Sequence, residues 1–323
     1  MNNKFQGSKS EIKKLLALYG LKSKSIVPIK DGIINSSFFV LDSENEEYVL
    51  RVYQRGTRAD RDILNELRIT AKFRQAGVPI PQTLKNVKGQ ILTKFRDSKY
   101  NQWRAIVMEF ITGHHLKSNE HSLISEFAGF QAQMHELGQQ ILPRPNLKSS
   151  FNKMAVWLKE ERTKALLKKL PDSGLKQKYE GIVQDILLEI KEREKEIWTL
   201  PAGYVHLDYD SNNIIVSDRH IRGILDFDDL SYQPLALDSA FSLWWWLFFN
   251  PILTHTQILR RYRQGYTKRR HWSTMESQLL PLFIRLRNAT LAALLFINLP
   301  KGPDLKSLKK AIKLDSLFKT LKL

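Results

Sequence analysis

The chain has 323 residues, of which 42% are hydrophobic and 26% are charged. This length and composition allow a full hydrophobic core and exclude a disordered or collagen-like polypeptide. The absence of cysteine excludes disulfides, zinc ribbons and thiolate nucleophiles. An excess of 51 Lys and Arg over 33 Asp and Glu gives a formal charge of +18, which favours nucleic acid, an anionic membrane surface or a phosphorylated ligand as a partner.

The N-terminal segment predicts a capped helix in a cytoplasmic protein. Its apolar core, Leu15–Tyr19, has about five residues, whereas a signal peptide needs about 7 to 15. Two later apolar stretches, Leu235–Leu253 and Leu279–Leu299, are each interrupted by polar residues and proline. Neither offers the roughly 20 uninterrupted apolar residues of a membrane-spanning helix. We therefore predict that both are buried core helices.

Residues 1–112 predict a small mixed domain. Helical spacing of apolar residues predicts a helix over residues 58–76, which ends before Pro79 and Pro81. Segments rich in β-branched or aromatic residues predict strands on both sides of this helix. These strands cover residues 25–30, 37–41, 48–53, 89–95 and 103–110. The order βββαββ is a recognisable small-lobe plan.

Residues 113–323 predict a larger, mainly helical domain. Its helices are expected at residues 123–137, 155–170 and 177–198, and then from residue 235 to the end of the chain. One stretch, residues 204–230, instead reads as loop, strand, turn and strand. Such an interruption of a helical domain is typical of a functional site.

The interrupting stretch contains polar residues in a pattern suited to phosphoryl transfer. His206, Asp208 and Asn213 give the spacing H-x-D-x-x-x-x-N, and Asp226 follows the next strand. An amide oxygen and a carboxylate suit Mg²⁺, which takes few protein ligands and leaves its other positions to water and substrate phosphates. Asp208 is then free to orient or deprotonate an attacking hydroxyl.

Three further acidic residues near this motif have open roles. Asp210, Asp228 and Asp229 could bind a cationic substrate or a second metal, and each could equally be an ordinary turn carboxylate. The aromatic run 244–246 could line a pocket for a quaternary ammonium group, although core packing explains it as well.

Taken together, these motifs resemble the aminoglycoside phosphotransferase and choline kinase superfamily, which includes homoserine-kinase-like members. HLDYDSNN stands where that family has H-G-D-x-x-x-x-N, and LDFDD stands where it has I-D-F-x-D. FAGFQAQMHELG and ALDSA resemble two family helices, so the resemblance extends from about Ile26 to Trp246. It implies an α+β, two-lobed, protein-kinase-like fold with a small N-terminal antiparallel sheet plus helix and a larger, mainly helical C-terminal lobe.

The resemblance also implies roles for individual residues in the larger lobe, residues 113–323. Asp208 would be the catalytic base, and Asn213 and Asp226 would bind Mg²⁺. His206 would support the loop by packing and hydrogen bonding.

In the nucleotide-binding lobe and linker, residues 1–112, the resemblance implies two kinds of ATP contact. Arg51 stands where protein kinases have a phosphate-binding Lys, and Glu66 would pair with it from the helix. DGIINSSFFV resembles a phosphate loop, and IVMEFITG resembles the linker whose backbone binds adenine. The residues concerned are Gly32, Asn35, Ser36 and Ser37 in the loop, and Glu109 and Ile111 in the linker.

The sequence therefore predicts an ATP-dependent kinase that moves the γ-phosphoryl group to a hydroxyl of a small molecule, with Mg²⁺ as cofactor. The acceptor could be an amino alcohol, amino acid, sugar or aminoglycoside. A protein Ser/Thr kinase of the same fold is one alternative. A second alternative is a nucleic-acid-binding protein on a kinase-like scaffold, because the basic segments 260–271 and 301–323 could bind a polyanion.

Overall fold

The computed structural model describes residues 4–29, 34–149, 151, 168, 172–298 and 305–321. The chain divides into two compact units, one formed by Met1–His115 with Ile214–Asp228 and the other by Leu116–Asn213 with Asp229–Leu323. The described helices and strands follow in chain order: α1 (Lys9–Ala17), β1 (Ser23–Ile29), β2 (Ser36–Asp42), β3 (Glu47–Tyr53), α2 (Asp60–Gln75), β4 (Thr93–Arg96), β5 (Gln102–Glu109), β6 (His114–His115), α3 (Ile124–Gln140), α4 (Ser173–Glu192), α5 (Glu194–Thr199), β7 (Ala202–Val205), β8 (Ile214–Ser217), β9 (His220–Ile224), β10 (Ser231–Pro234), α6 (Leu235–Phe249), α7 (His255–Tyr266), α8 (Thr274–Asn298) and α9 (Leu305–Lys319).

The first unit is built on a five-stranded antiparallel sheet with the order β1-β2-β3-β5-β4. Alternate residues of its strands point to one face, where Val40, Leu50 and Val107 join a core that also contains Leu15 and Leu16 of α1. This arrangement confirms the predicted α+β class with a small antiparallel sheet plus helix.

Helix α2 belongs to a second apolar cluster of the same unit. Ile63 and Leu67 of α2 pack with Tyr53 and Ile106 of the sheet. The strand predicted at residues 89–95 is shorter than expected and begins at Thr93, because the preceding residues form a turn around Asn86, whose side-chain oxygen accepts the N–H groups of residues 88 and 90.

The first unit also contains a small sheet of β6, β8 and β9, with β8 in the middle. Ile214, Ile224 and Val216 are fully buried in it. Asp226 follows β9 with a positive φ of 58°, a left-handed conformation that side chains other than glycine rarely adopt and that concentrates at functional sites.

The second unit is mainly helical, as predicted. Strands β7 and β10 pair with each other, and α6 is buried over nearly its whole length. Residues 235–249 of the first apolar stretch lie in the buried helix α6, and residues 279–292 of the second lie in α8, where most of them are buried. Among the described residues, no helix is both long and apolar enough to cross a membrane.

One helix prediction differs from the structure in detail, and another falls almost wholly outside the described residues. The helix predicted at residues 177–198 begins earlier and is broken at Arg193, where φ and ψ of −95° and 14° leave the helical range and separate α4 from α5. The helix predicted at residues 155–170 lies, apart from Lys168, outside the described residues.

Candidate active site

In the second unit, a buried carboxylate, Asp238, forms a hydrogen bond with the loop that carries Asp208. Asp238, in the first turn of α6, accepts the N–H of Leu207 at 2.5 Å through Oδ1. Its Oδ2 accepts from Nε2 of Gln131 at 2.6 Å and lies 2.8 Å from Nε2 of His135. Burial pushes the pKa of Asp238 up, but hydrogen bonding and charge from His135 outweigh burial and hold it below its usual value.

Asp208 itself has both carboxylate oxygens engaged. Nη2 of Arg287 donates to Oδ1 at 2.8 Å, and Nδ2 of Asn213 donates to Oδ2 at 2.9 Å and to the Asp208 carbonyl at 2.8 Å. The amide oxygen of Asn213 is thereby left as the atom that could bind a cation. The Asp208 side chain remains 37% exposed, so its carboxylate can still accept a proton from a bound hydroxyl.

His206 lies beneath this loop. It is buried, its ring centroid lies 5.8 Å from that of Tyr209, and its Nδ1 accepts the N–H of Asp208 at 3.3 Å. The ring therefore contacts the backbone on which the Asp208 side chain is carried.

Asp210 faces a pocket of about 480 Å³ in the second unit. One wall of this pocket is aromatic, formed by Trp244, Trp245 and Phe249 of α6. Burial, followed by the charge of Asp208, raises the pKa of Asp210 to about 6. A carboxylate beside aromatic faces is suited to an ammonium group, so the aromatic run has a pocket-lining role as well as core packing.

A second group of charged residues lies in the first unit, at the end of β3. Arg51 lies 3.3 Å from Asp226 and 3.3 Å from Asp228. Arg58 donates to Asp228 at 2.8 Å and also contacts Glu66. The sequence predicts a direct Arg51–Glu66 pair, but Glu66 pairs with Arg58 instead, and Asp228 links the two arginines.

The charges in this group shift one another's pKa. Burial alone would lower the pKa of Arg51, but Asp226 and Asp228 raise it above its usual value. Burial raises the pKa of Glu66, against the opposing charge of Arg58. Each guanidinium therefore forms ion pairs with carboxylates from different segments of the unit.

The four residues of the predicted phosphate loop differ in their surroundings. Gly32 lies outside the described residues. Asn35 donates to Oδ2 of Asp228 at 2.6 Å and accepts the N–H of residue 54. The hydroxyl of Ser36 donates to the carbonyl of residue 5, and Ser37 pairs with both neighbouring strands, so its backbone is part of the sheet ladder.

The predicted adenine linker follows β5. The N–H of Glu109 donates to the carbonyl of Gln82 at 2.9 Å, and its side chain accepts the N–H of Gln82 at 2.8 Å. Only the carbonyl of Glu109 is left for a nucleobase. Ile111 lies against Gly223, where an added Cβ would come within 3.1 Å of the isoleucine side chain.

Comparison with known proteins decides the family. A model of the phosphotransferase enzyme family matches residues 25–272. The chain belongs to the phosphotransferase enzyme family. This confirms the resemblance found in the sequence and the prediction that the protein is a phosphotransferase.

Relatives and solved structures agree with this family. Homoserine kinase of Pseudomonas aeruginosa is 23% identical over 280 residues, which cover 86% of this chain and 83% of that protein. An amicoumacin kinase in complex with AMP-PNP, Ca²⁺ and Ami has a TM-score of 0.71 at 16% identity, with 97% and 93% coverage of the two chains. A microcompartment-associated aminopropanol kinase also has a TM-score of 0.71, at 18% identity and with 97% and 95% coverage. The kinase-like fold of this phosphotransferase is thereby confirmed.

Sequence reasoning missed two arginines of this phosphotransferase. Arg58 lies in a polar loop and gives no signal of its own. Arg287 does give one, because a cation inside the apolar stretch LFIRLRNA needs a buried partner, yet nothing in the sequence identifies that partner as Asp208.

The basic segment 260–271 is partly engaged within the protein. Arg261 donates to the carbonyl of His121, Arg270 pairs with Glu276 at 2.6 Å, and Arg269 lies 3.9 Å from Glu136. These contacts account for part of the positive charge that the sequence leaves unexplained.

Proposed function

We propose that this phosphotransferase transfers the γ-phosphoryl group of ATP to a hydroxyl of a small acceptor that carries an amino group. One observation supports this proposal above the others. The aromatic pocket is lined by Asp210, only two residues after Asp208. An acceptor whose ammonium group pairs with Asp210 can therefore present a hydroxyl to Asp208.

Asp208 would act as the base. The hydroxyl of the acceptor donates its proton toward the carboxylate as the oxygen attacks the γ-phosphorus and the bond to the leaving ADP breaks. Arg287 and Asn213 fix the rotamer of Asp208, so the carboxylate needs no reorganisation during the reaction.

A divalent cation, which we take to be Mg²⁺, would be held by Asn213 and Asp226. Each residue by itself offers an oxygen of the kind this ion prefers: Asn213 has its amide oxygen left over, and Asp226 is 40% exposed with one oxygen shared with Arg51. When bound, the ion neutralises charge on the phosphates. The similar amicoumacin kinase was solved with AMP-PNP and Ca²⁺.

The nucleotide would be held by the first unit. Arg51 would bind phosphate oxygens, for which a permanently charged, forked guanidinium is suited. Glu66 would act through Arg58 and Asp228 to keep Arg51 in place. The loop residues Gly32 and Asn35 to Ser37 would approach the phosphates, and the Glu109 carbonyl with the Ile111 amide would bind adenine.

The relatives suggest two kinds of acceptor. The curated relatives are named homoserine kinases, and one similar structure is an aminopropanol kinase. Both names describe acceptors with an amino group and a hydroxyl, which matches a pocket with one carboxylate and an aromatic wall.

The proposal is tested by measuring ADP release with Mg-ATP over a panel of amino acids, amino alcohols, sugars and aminoglycosides. We expect turnover with amino-bearing hydroxyl compounds and none with neutral sugars. A generic protein substrate and a nucleic acid are added to separate reactions. Phosphorylation of the protein substrate without turnover of any small acceptor would contradict the proposal. So would the absence of turnover with every small acceptor.

A further inference from the structure

Two arginines of α8 lie two residues apart and have different surroundings. Arg285 uses all three nitrogens of its guanidinium: Nε donates to Asp315 at 3.0 Å, Nη1 to Glu189 at 2.9 Å and Nη2 to Asp185 at 2.5 Å. Its partners lie on α4 and α9, far from the catalytic loop in sequence. Arg285 is therefore a fully satisfied structural cation.

Arg287 is not satisfied in this way. Nη2 donates to Asp208, and the guanidinium lies over the ring of Phe241 at 4.8 Å. Its buried Nε has no hydrogen-bond partner among the described residues. A buried charged donor without an acceptor destabilises the fold, so its presence beside Asp208 calls for a functional reason.

Arg287 also lies one helical turn from the pocket. Leu291, four residues further along α8, lines the pocket, and residues i and i+4 share a helix face. Phe241, which supports Arg287, precedes the lining residues Trp244 and Trp245 by one turn of α6 in the same way. Arg287 and its partner Asp208 do not line the pocket themselves, but both lie within one helical turn or two residues of side chains that do.

Two opposite charges therefore accompany the reacting carboxylate: Asp210, which lines the pocket, and Arg287, which pairs with Asp208. Asp210 suits an ammonium group, and a guanidinium with unused N–H groups suits a carboxylate, which it can bind through two parallel hydrogen bonds. A simple amino alcohol would use only the first of these.

We propose that Arg287 recognises a carboxylate on the acceptor, so that the substrate class is a hydroxy amino acid and not a simple amino alcohol. The inference rests on the proposed function, because it concerns the acceptor of that reaction. In it, Arg287 keeps its bond to Asp208 and turns its remaining N–H groups toward the acceptor. Asp210 binds the amino group of the same molecule.

Lys117 is the cation that lines the pocket itself. It is exposed, so water screens its charge more strongly than that of Arg287, which is 13% exposed. Lys117 is the competing candidate, and the experiment includes it.

The test uses two pairs of acceptors that differ only in the α-carboxylate: L-homoserine with 3-amino-1-propanol, and L-serine with ethanolamine. For each pair we measure the ratio of kcat/KM in the wild-type protein, Arg287→Met, Arg287→Lys and Lys117→Met. Arg263→Met, an exposed arginine of α7, is the control for loss of surface charge. Thermal melting checks that each variant is folded.

We expect the wild type to favour the amino acid of at least one pair. In Arg287→Met, the ratio should fall by about 10- to 100-fold, the effect of losing hydrogen bonds to a charged group. Any effect of the lost Asp208 contact lowers both members of a pair equally and cancels in the ratio. Arg287→Lys should restore part of the ratio, and Arg263→Met should leave it unchanged.

Two results would overturn the role of Arg287 while the proposed function stands. One is turnover of the amino alcohols at least as fast as that of the amino acids in the wild type. The other is a ratio that Arg287→Met leaves unchanged or that Lys117→Met removes. Failure to phosphorylate any small hydroxyl compound would overturn the proposed function and this inference together.

Discussion

In both units an ion pair positions a functional charge, but the sign of that functional charge is reversed between the units. In the first unit the group assigned to the ligand is a cation, Arg51, and carboxylates hold it. In the second unit the group assigned to the ligand is a carboxylate, Asp208, and an arginine holds it. The comparison teaches that the charge of a residue near a site does not reveal its role, because each functional charge is accompanied by a partner that only positions it.

The largest effect is expected when the functional charge of the second unit, that of Asp208, is removed. Asp208→Asn keeps the shape of the side chain and removes the base, so kcat should fall by about 10²–10⁴-fold. Nucleotide affinity should stay near that of the wild type, because the residues assigned to the phosphates lie in the other unit. Steady-state kinetics and binding of ADP measure the two effects, and wild-type-like turnover would contradict the assignment.

Removing the buried carboxylate under the loop should reduce stability more than any exposed substitution. Asp238 is fully buried and holds Leu207 and His135, and Asp238→Ala leaves these groups without their acceptor. We expect a loss of about 3–5 kcal/mol in the free energy of unfolding at pH 7, measured by denaturant titration.

The pH dependence of that difference follows from the direction of the pKa shift. The pKa of Asp238 lies below its ordinary value of 3.8 in the folded protein. Its ionised form therefore stabilises the fold above that value, and the stabilisation is lost as the pH falls through the lowered pKa. The difference in stability between the wild type and the variant should therefore narrow as the pH falls through the lowered pKa. A gap that persists unchanged at low pH would contradict an electrostatic role.

The positioning partner of the first unit can be removed separately. Asp228→Asn takes away the carboxylate shared by Arg51 and Arg58, so Arg51 loses its fixed position. KM for ATP should rise by about 10-fold, while KM for the acceptor stays the same. Asp218→Asn, the same change at a residue of the same unit whose side chain is 82% exposed, is the matched control. A rise in KM for the acceptor in Asp228→Asn would assign Asp228 to the acceptor instead.

The smallest expected effect is at Asp210. Because Asp210 is assigned to the amino group of the acceptor and makes no contact with the reacting oxygen, Asp210→Asn should raise KM for an amino-bearing acceptor by about 5- to 10-fold. The value of kcat should change little. A large loss of kcat with unchanged KM would place Asp210 in the chemical step.

Much of this could be predicted from the sequence because the informative residues are close together along the chain. The spacing of His206, Asp208 and Asn213 and the position of Asp226 after a strand are local patterns, and hydrophobic periodicity marks the sheet and the core helices. The family itself is confirmed on that basis.

The partners of the functional residues could not be predicted, because they come from distant segments. Arg287 is 79 residues from Asp208, and Asp228 is 170 residues from Arg58. The sequence predicts the Arg51–Glu66 pair by position on a strand and a helix, whereas in the structure Glu66 hydrogen-bonds Arg58 and acts on Arg51 through its charge. Which of two nearby arginines pairs with a given carboxylate depends on side-chain geometry, and a local sequence pattern does not predict that geometry.

The central claim is that the charge that carries out the transfer and the charge that holds the nucleotide lie in different units, each with its own positioning partner. Calorimetric titration of Mg-ADP into the wild type, Asp208→Asn and Asp228→Asn tests it most directly. We expect Asp208→Asn to bind Mg-ADP with wild-type affinity and Asp228→Asn to bind it about 10-fold more weakly. Weakened binding in Asp208→Asn together with wild-type binding in Asp228→Asn would contradict it.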